Sequence, residues 1–391
     1  MKLSRRLMAL ALAVLMAVSV FSFASCKGDE LNVPEFSDDT IKIGASGPLT
    51  GAAAVYGEAV YNGARLAIHE INEKGGLDGT LLSFQMYDDT HDPTKVATGY
   101  ASLVDAGMQL SLGTVTTGPG LEFKELSKDK MFVLTPSASG DKIPQYSNAY
   151  QMCFADGNQG KVAAEYVNGL GLTKIGIFYK TDEDYSKGIY DQFKANLNPT
   201  IQTVEASFTD AAASDFGTQI DTLKDCTFIF MPIYYTPASL FMTQAKGKIA
   251  DNATYYGCDG FDGIESAEGF DIATIPQKVT MLSHFNSKAE SGAAKDFVTK
   301  YTEQFGTETL NQFGASAYDC VYAIFNALKA AKAAGKPVSA STSAADMLSF
   351  LTEQFNGGFE YSGVTGNNIK WASTGFVEKT AVAYVIKEAN A

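Results

Sequence analysis

Histidine is scarce in this chain, and the motifs of common enzymatic chemistry are missing. The 391 residues include three histidines, His69, His91 and His284, which are too few and too far apart in sequence to suggest a metal site. No G-x-S-x-G, H-E-x-x-H or phosphate-binding P-loop occurs, and no G-x-G-x-x-G follows a strand. The sequence therefore predicts no catalytic residue, no metal and no cofactor, and we expect a protein that is not an enzyme.

Positive charge and paired cysteines are also in short supply. Thirty Lys and Arg residues stand against 44 Asp and Glu, which gives a formal net charge of -14. This balance argues against nucleic acid as a partner. No C-x-x-C pair occurs, and Cys226 and Cys320 lie in apolar runs typical of small buried hydrophobic residues. The sequence does not say whether these two cysteines form disulfides with Cys153 or Cys258.

The N-terminus has the composition of a bacterial secretion signal. Cations at positions 2, 5 and 6 precede an apolar run over 7–23, and small residues then lead to Cys26. This pattern predicts a lipoprotein signal peptide over 1–25, lipidation of Cys26 and a polar tether over 26–40. A transmembrane anchor is the alternative, but a spanning helix needs about 20 uninterrupted apolar residues. We therefore expect an exported protein anchored by lipid to the cell membrane, on its extracellular face or in the periplasm.

Residues 41–79 have the pattern of a strand, a glycine-rich loop and a helix, and a second strand follows over 82–86. Apolar residues from Val60 to Ile71 recur with the helical period, and Gly75-Gly76 is a helix stop signal. Such a βαβ unit has a right-handed crossover, and its first loop is a common place for small ligands. The same rhythm continues along the chain, whose length favours two lobes. The sequence therefore predicts an α/β fold with two doubly wound parallel-sheet lobes.

The segment SGPLTGAAAVYGEAVYNGARLAIHEINEKGG, residues 46–76, closely resembles the first loop and helix of branched-chain amino acid binding proteins. These are solute-binding components of ABC importers with the type I periplasmic binding protein fold. The resemblance implies three crossovers and hinge closure on a small amino acid, with branched-chain and aliphatic ligands favoured. It also implies a monomer that meets an ABC permease. The implied lobes are 41–150 with 285–365, and 151–284 with 366–391.

The resemblance also implies which residues bind the ligand. Thr117, Ala138 and Ser139 match loops that hold the ligand carboxylate, although Thr117 and Ser139 would also suit helix caps. Asp259 matches the acidic residue that pairs with the ligand ammonium, and Asp262 is its nearby competitor. Aromatic walls are predicted at four further positions, Tyr56, Tyr150, Tyr185 and Tyr235.

Two further points follow from the resemblance. Some relatives have a disulfide that joins the loop after the second strand to the loop over 114–118. Here His91 and Thr116 fill those places, so we predict that the bridge is absent. The alternative functions are a same-fold binding protein for an amide, urea or aromatic acid, and a receptor that reports its ligand to a sensor.

Overall fold

The computed structural model describes residues 31–145, 147–377, 379 and 381–390. The predicted signal peptide and Cys26 lie outside these residues. Within the described part of the chain, no helix is long and apolar enough to cross a membrane. Residues 31–39, part of the predicted tether, have no regular structure but lie against the first helix. There, the backbone N–H of Asn32 donates to His69 Nδ1 at 2.9 Å.

The first lobe is built on a parallel sheet with the strand order β2-β1-β3-β4-β5. Its strands and the helices between them are β1 (Thr40–Gly47), α1 (Ala54–Glu73), β2 (Leu81–Asp88), α2 (Pro93–Asp105), β3 (Leu110–Ser111), α3 (Thr117–Ser127), β4 (Val133–Thr135) and β5 (Ala149–Gln151). The predicted stop signal is present, because the backbone of Gly75 and Gly76 is left-handed just beyond α1. The Asp92 side chain caps α2.

The second lobe is built on a six-stranded sheet with the order β13-β10-β9-β8-β6-β7. The last strand of the chain, β13 (Val382–Lys387), lies antiparallel at one edge of this sheet. Its first elements in chain order are α4 (Asp156–Asn168), β6 (Lys174–Lys180), α5 (Asp184–Asn196), β7 (Gln202–Phe208), α6 (Gly217–Leu223), β8 (Phe228–Met231), α7 (Tyr235–Gln244), β9 (Thr254–Gly257) and β10 (Lys278–Ser283). The two sheets confirm the predicted fold class.

After β10 the chain returns to the first lobe. The elements of this return are α8 (Gly292–Phe305), α9 (Gln312–Ala333), α10 (Ala344–Asn356), β11 (Tyr361–Gly363) and β12 (Gly366–Ile369), followed by β13 (Val382–Lys387) in the second sheet. Helix α10 is absent from the sequence prediction. Helices α1 and α9 cross closely at two glycines: a Cβ added to Gly63 would lie 2.0 Å from the carbonyl oxygen of Gly314.

The last crossing between the lobes comes later than predicted. The sequence prediction assigned residues from 366 onward to the second lobe, but Gly366–Ile369 pairs with Tyr361–Gly363. The Trp371 indole packs on Phe355 with 4.6 Å between ring centroids, and its N–H donates to the carbonyl of Gln151 at 2.7 Å. These contacts hold the segment on the first lobe because Trp371 buries its ring there. The crossing therefore lies between Trp371 and β13.

Candidate functional site

The first lobe contributes the start of α3 and the loop after β4. Thr117 is the first residue of α3, and its hydroxyl is buried without a hydrogen-bond partner among the described residues. Thr117 is therefore not a side-chain cap, and both its hydroxyl and the helix N-terminus suit an anionic group. The buried side chain of Ser139 hydrogen-bonds to Asp156 of the second lobe.

Ala138, in the same loop, has its backbone groups engaged within the first lobe. Its N–H donates to Thr135 Oγ1 at 3.1 Å, and its carbonyl accepts from Gln151 Nε2 at 3.1 Å. Ala138 thus supports the shape of the loop, and its own N–H is not free for the carboxylate contact that was predicted.

Asp259 follows β9 and is buried, with 2 % of its surface exposed. The Tyr185 hydroxyl donates to Asp259 Oδ1 at 2.6 Å and accepts from the backbone N–H of Gly260 at 2.9 Å. Gln159 accepts from the Asp259 backbone N–H at 3.1 Å. Burial raises the pKa of Asp259 to about 6, although these hydrogen bonds oppose the shift. Tyr185 and Asp259 both belong to the predicted set of ligand-binding residues, and the structure places their side chains in contact.

Asp262, the alternative candidate for the ammonium partner, makes a different contact. Its Oδ2 accepts from the backbone N–H of Gln312 at 2.9 Å, so it joins the second lobe to the start of α9 in the first. Burial raises the pKa of Asp262 to about 7.

A second buried carboxylate, Asp156, is missing from the sequence prediction. It lies in the first turn of α4, where its backbone N–H donates to the Ser139 carbonyl at 2.9 Å. Burial and the nearby negative charge of Asp259 raise the pKa of Asp156 well above its ordinary value. The sequence pattern predicts a helix from residue 158, two positions after Asp156, so this carboxylate was not included in the predicted site. The acidic first turn directly after an extended segment is the signal that marks it.

Tyr56 belongs to the first lobe, and its side chain contacts the second lobe. Its hydroxyl donates to the carbonyl of Gly260 and accepts from the backbone N–H of Tyr235 at 3.2 Å. The ring of Tyr235 meets that of Tyr56 edge-on, with 5.0 Å between centroids. Burial raises the pKa of Tyr56 well above its ordinary value, so the hydroxyl is a neutral donor. The two predicted aromatic positions therefore meet where the lobes touch.

Tyr234, which the sequence prediction passed over for its neighbour, lies at the centre of the aromatic group. Its ring stacks on Tyr185 with 4.3 Å between centroids and an interplanar angle of 10°. The Tyr234 hydroxyl lies near the backbone of Thr117 on the other lobe. Tyr234 and Tyr235 are adjacent at the start of α7, and no feature of the sequence indicates which of them faces the site.

Tyr150, also predicted as a ligand wall, does not lie in this group. Its ring packs on Phe132 and Phe355, with 5.4 and 5.0 Å between ring centroids. The Tyr150 hydroxyl donates to Asn356 Oδ1 at 3.1 Å. The reason is that β5 is the last strand of the first sheet, and this side chain turns into the core of that lobe beside α10.

His91 and Thr116 meet where some relatives have a disulfide. His91 Nδ1 lies 2.9 Å from Thr116 Oγ1, and its Nε2 lies 3.6 Å from Glu183 of the second lobe. Cys226 and Cys320 are buried as predicted, and both are free thiols, as are Cys153 and Cys258. Within the described residues no cluster of three or more His, Cys, Asp or Glu could hold a metal ion.

A sequence model of the periplasmic binding protein family matches residues 40–390 of this chain. The chain belongs to the periplasmic binding protein family. It is 30% identical over 288 residues to the Leu/Ile/Val-binding protein BraC3 of Rhizobium johnstonii, covering 70% of this chain and 76% of that protein. It is 29% identical to the leucine-, isoleucine-, valine-, threonine- and alanine-binding protein of Pseudomonas aeruginosa, covering 61% and 67%.

Solved structures of the family share the fold. The branched-chain amino acid transporter substrate-binding protein LivJ from Streptococcus pneumoniae, solved in complex with isoleucine, superposes on this chain with a TM-score of 0.76 at 25% identity. The match covers 89% of this chain and 99% of that one. The relatives are extracytoplasmic solute-binding proteins that work with ABC permeases. The protein is therefore a binding protein and not an enzyme.

Proposed function

We propose that this periplasmic binding protein captures a small amino acid between its two lobes and delivers it to an ABC permease. One observation carries the proposal: a buried carboxylate, Asp259, lies on one lobe, and the start of α3 at Thr117 lies on the other. A free amino acid needs both an acceptor for its ammonium and donors for its carboxylate. Tyr234 lies between the two places: its ring stacks on Tyr185, and its hydroxyl lies near the Thr117 backbone.

The relatives narrow the ligand to a first set of candidates. BraC3 and LivJ are named for branched-chain amino acids, so leucine, isoleucine and valine are the first ligands to test. Tyr234, whose hydroxyl lies near the Thr117 backbone, borders the place that a ligand carboxylate would occupy.

Hinge closure is part of the proposal. Contacts between the lobes, such as Tyr56 with Gly260 and Asp262 with Gln312, have to break when the cleft opens. A ligand that bridges Asp259 and Thr117 would favour the closed form by its contacts with both lobes.

Lipid anchoring at Cys26 and a monomeric state complete the proposal. Asn32, six positions after Cys26, contacts α1, so the anchor would lie close in sequence to the folded protein. Growth with labelled palmitate should label the wild-type protein, whereas Cys26→Ala should be unlabelled and released from the membrane fraction. Size-exclusion chromatography with light scattering should give the mass of one chain.

A thermal-shift screen of the exported protein against the amino acids, amides and aromatic acids tests the ligand assignment. A ligand at about 100 times its Kd adds roughly 2.7 kcal/mol to the free energy of unfolding. Stabilisation by an α-amino acid, confirmed by calorimetry, supports the proposal. Stabilisation by amides or aromatic acids alone contradicts the pairing of Asp259 with an ammonium and favours the alternative ligands. A receptor for a sensor would bind its ligand yet fail to restore uptake in a permease-containing strain.

A further inference from the structure

Asp156, the carboxyl group at the start of α4, is buried without a charged partner. Only 2 % of its surface is exposed. Within the part of the chain that the structure describes, neither Asp156 nor Asp259 forms an ion pair with a lysine, arginine or histidine. An acidic residue in the first turn of a helix is favoured by the helix dipole, but that interaction does not require burial. Burying a carboxyl group costs free energy, so its burial here calls for a function.

The side chain of Gln159, which is fully buried, reaches both Asp156 and Asp259. Its Nε2 lies 3.5 Å from Asp156 Oδ1, and its Oε1 accepts from the backbone N–H of Asp259 at 3.1 Å. Burial, and then the negative charge of Asp259, raises the pKa of Asp156, as expected when two carboxyl groups lie near each other. The two carboxyl groups therefore border the same small region of the second lobe.

A cavity of about 310 Å³ joins Asp156 to the place assigned to the ligand carboxylate. Thr117 of the first lobe and Asp156 of the second both line it. The Thr117 hydroxyl is buried and has no hydrogen-bond partner among the described residues. The volume lies within the range of small-molecule sites, about 300–1,000 Å³. A molecule in this cavity would therefore meet the start of a helix, which suits an anion, on one side and a carboxyl group on the other.

We propose that Asp156 is a second acceptor for the ligand ammonium, and that Asp156 and Asp259 together select α-amino acids over acids that lack the amino group. This inference rests on the amino acid function proposed above. An ammonium has three N–H donors, so two carboxyl groups can bind it at once. A carboxyl oxygen accepts an N–H whether or not the group carries its proton, so the contact does not require ionised Asp156. A 2-hydroxy acid offers one O–H in place of three N–H donors, and a site built for an ammonium should reject it.

Matched pairs of ligands test this role of Asp156. Calorimetry on the exported protein, by displacement where binding is weak, should compare leucine, isoleucine and valine with the 2-hydroxy acids of the same carbon skeletons. The wild type should prefer the amino acid, and Asp156→Ala should reduce that preference about tenfold, because one hydrogen bond to a charged group is lost. Asp156→Asn keeps an acceptor oxygen and should reduce the preference less. Asp346→Asn, which also removes an acid from the first turn of a helix but lies outside the cavity lining, is the matched control and should leave the preference unchanged.

A ligand contact and a merely structural role of Asp156 give different results. If Asp156→Ala weakens binding of the amino acid and of its 2-hydroxy acid by the same factor, the residue supports only the fold or the closed form. That result overturns the inference and leaves the amino acid function standing. An unchanged preference in an Asp156→Ala variant that melts near the wild-type temperature also overturns it. If none of the three amino acids binds, the proposed function fails for these ligands and the inference fails with it.

Discussion

Replacing Asp259 by Asn should stabilise the ligand-free protein and weaken ligand binding at the same time. The carboxylate is buried, and its pKa is raised to about 6. A raised pKa means that the folded state holds the proton more tightly than the unfolded state. The stability that this group contributes is therefore fully present below about pH 4 and is lost as pH rises through about 6. At pH 7 the ionised, buried Asp259 is a cost to the fold.

The magnitude follows from the shift of the pKa. Raising it from the ordinary 3.8 to about 6 corresponds to at most about 3 kcal/mol at pH 7. Asn keeps an oxygen that can accept from Tyr185 and removes the charge, so ligand-free Asp259→Asn should unfold at a higher temperature at pH 7. For ligand binding the change removes the partner of the ammonium, and we expect a loss of about 3 kcal/mol, more than a hundredfold in Kd.

The pH dependence gives a second signature. Binding an ammonium requires ionised Asp259, which is about 90% populated at pH 7 and about 10% at pH 5 if the pKa is about 6. Wild-type affinity should therefore fall about tenfold between pH 7 and pH 5, and the affinity of Asp259→Asn should stay flat over that range.

Calorimetry at pH 5, 6 and 7, with the amino acid that the ligand screen identifies, measures both effects. Asp319→Asn is the matched control: it is also a buried carboxylate, but it bonds to Tyr361 and Thr365 within the first lobe and should change Kd less than threefold. A variant at Asp259 that binds with unchanged affinity and retains the wild-type pH dependence would refute the ammonium assignment.

Three further changes test the packing and the contact between the lobes. Gly63→Ala should lower the free energy of unfolding by about 3 kcal/mol in chemical denaturation because its Cβ meets a backbone carbonyl. Gly188→Ala, in helix α5, would place its Cβ in ordinary van der Waals contact 3.8 Å from Asp156 and should be neutral or add up to about 1 kcal/mol. Tyr56→Phe removes the hydroxyl between the lobes, so Kd should rise about tenfold and small-angle scattering should show a more open protein; unchanged scattering and affinity would contradict its role in closure. Asp319→Asn should cost about 3 kcal/mol of stability because the carboxylate accepts four hydrogen bonds and an amide nitrogen accepts none; a loss below about 1 kcal/mol would show that the network is dispensable.

Much of the fold could be predicted because its signals are local. The helical period from Val60 to Ile71, the stop at Gly75-Gly76 and the cap at Asp92 each depend on neighbours within a few residues. Alternating strands and helices then imply parallel sheets, and the carboxyl ends of their strands imply where a ligand site forms. The resemblance to branched-chain amino acid binding proteins then singled out Thr117 and Asp259 within these loops.

Side-chain direction could not be predicted in the same way, because it depends on packing between distant segments. Tyr150 and Tyr185 are both tyrosines in the predicted set, yet β5 turns the first into the core and α5 brings the second to Asp259. Tyr234 lies in the site because its ring stacks on Tyr185, 49 positions earlier in the chain, and no local pattern distinguishes it from Tyr235.

The sequence by itself determined the alternation of strands and helices, the family and the loops that bear the candidate site. The tertiary structure decided which side chains meet across the two lobes, the late position of the last crossing and the burial that raises the pKa of Asp259. Periodicity, caps and turns are properties of neighbouring residues, whereas burial and interlobe contacts arise only when segments far apart in the chain pack together.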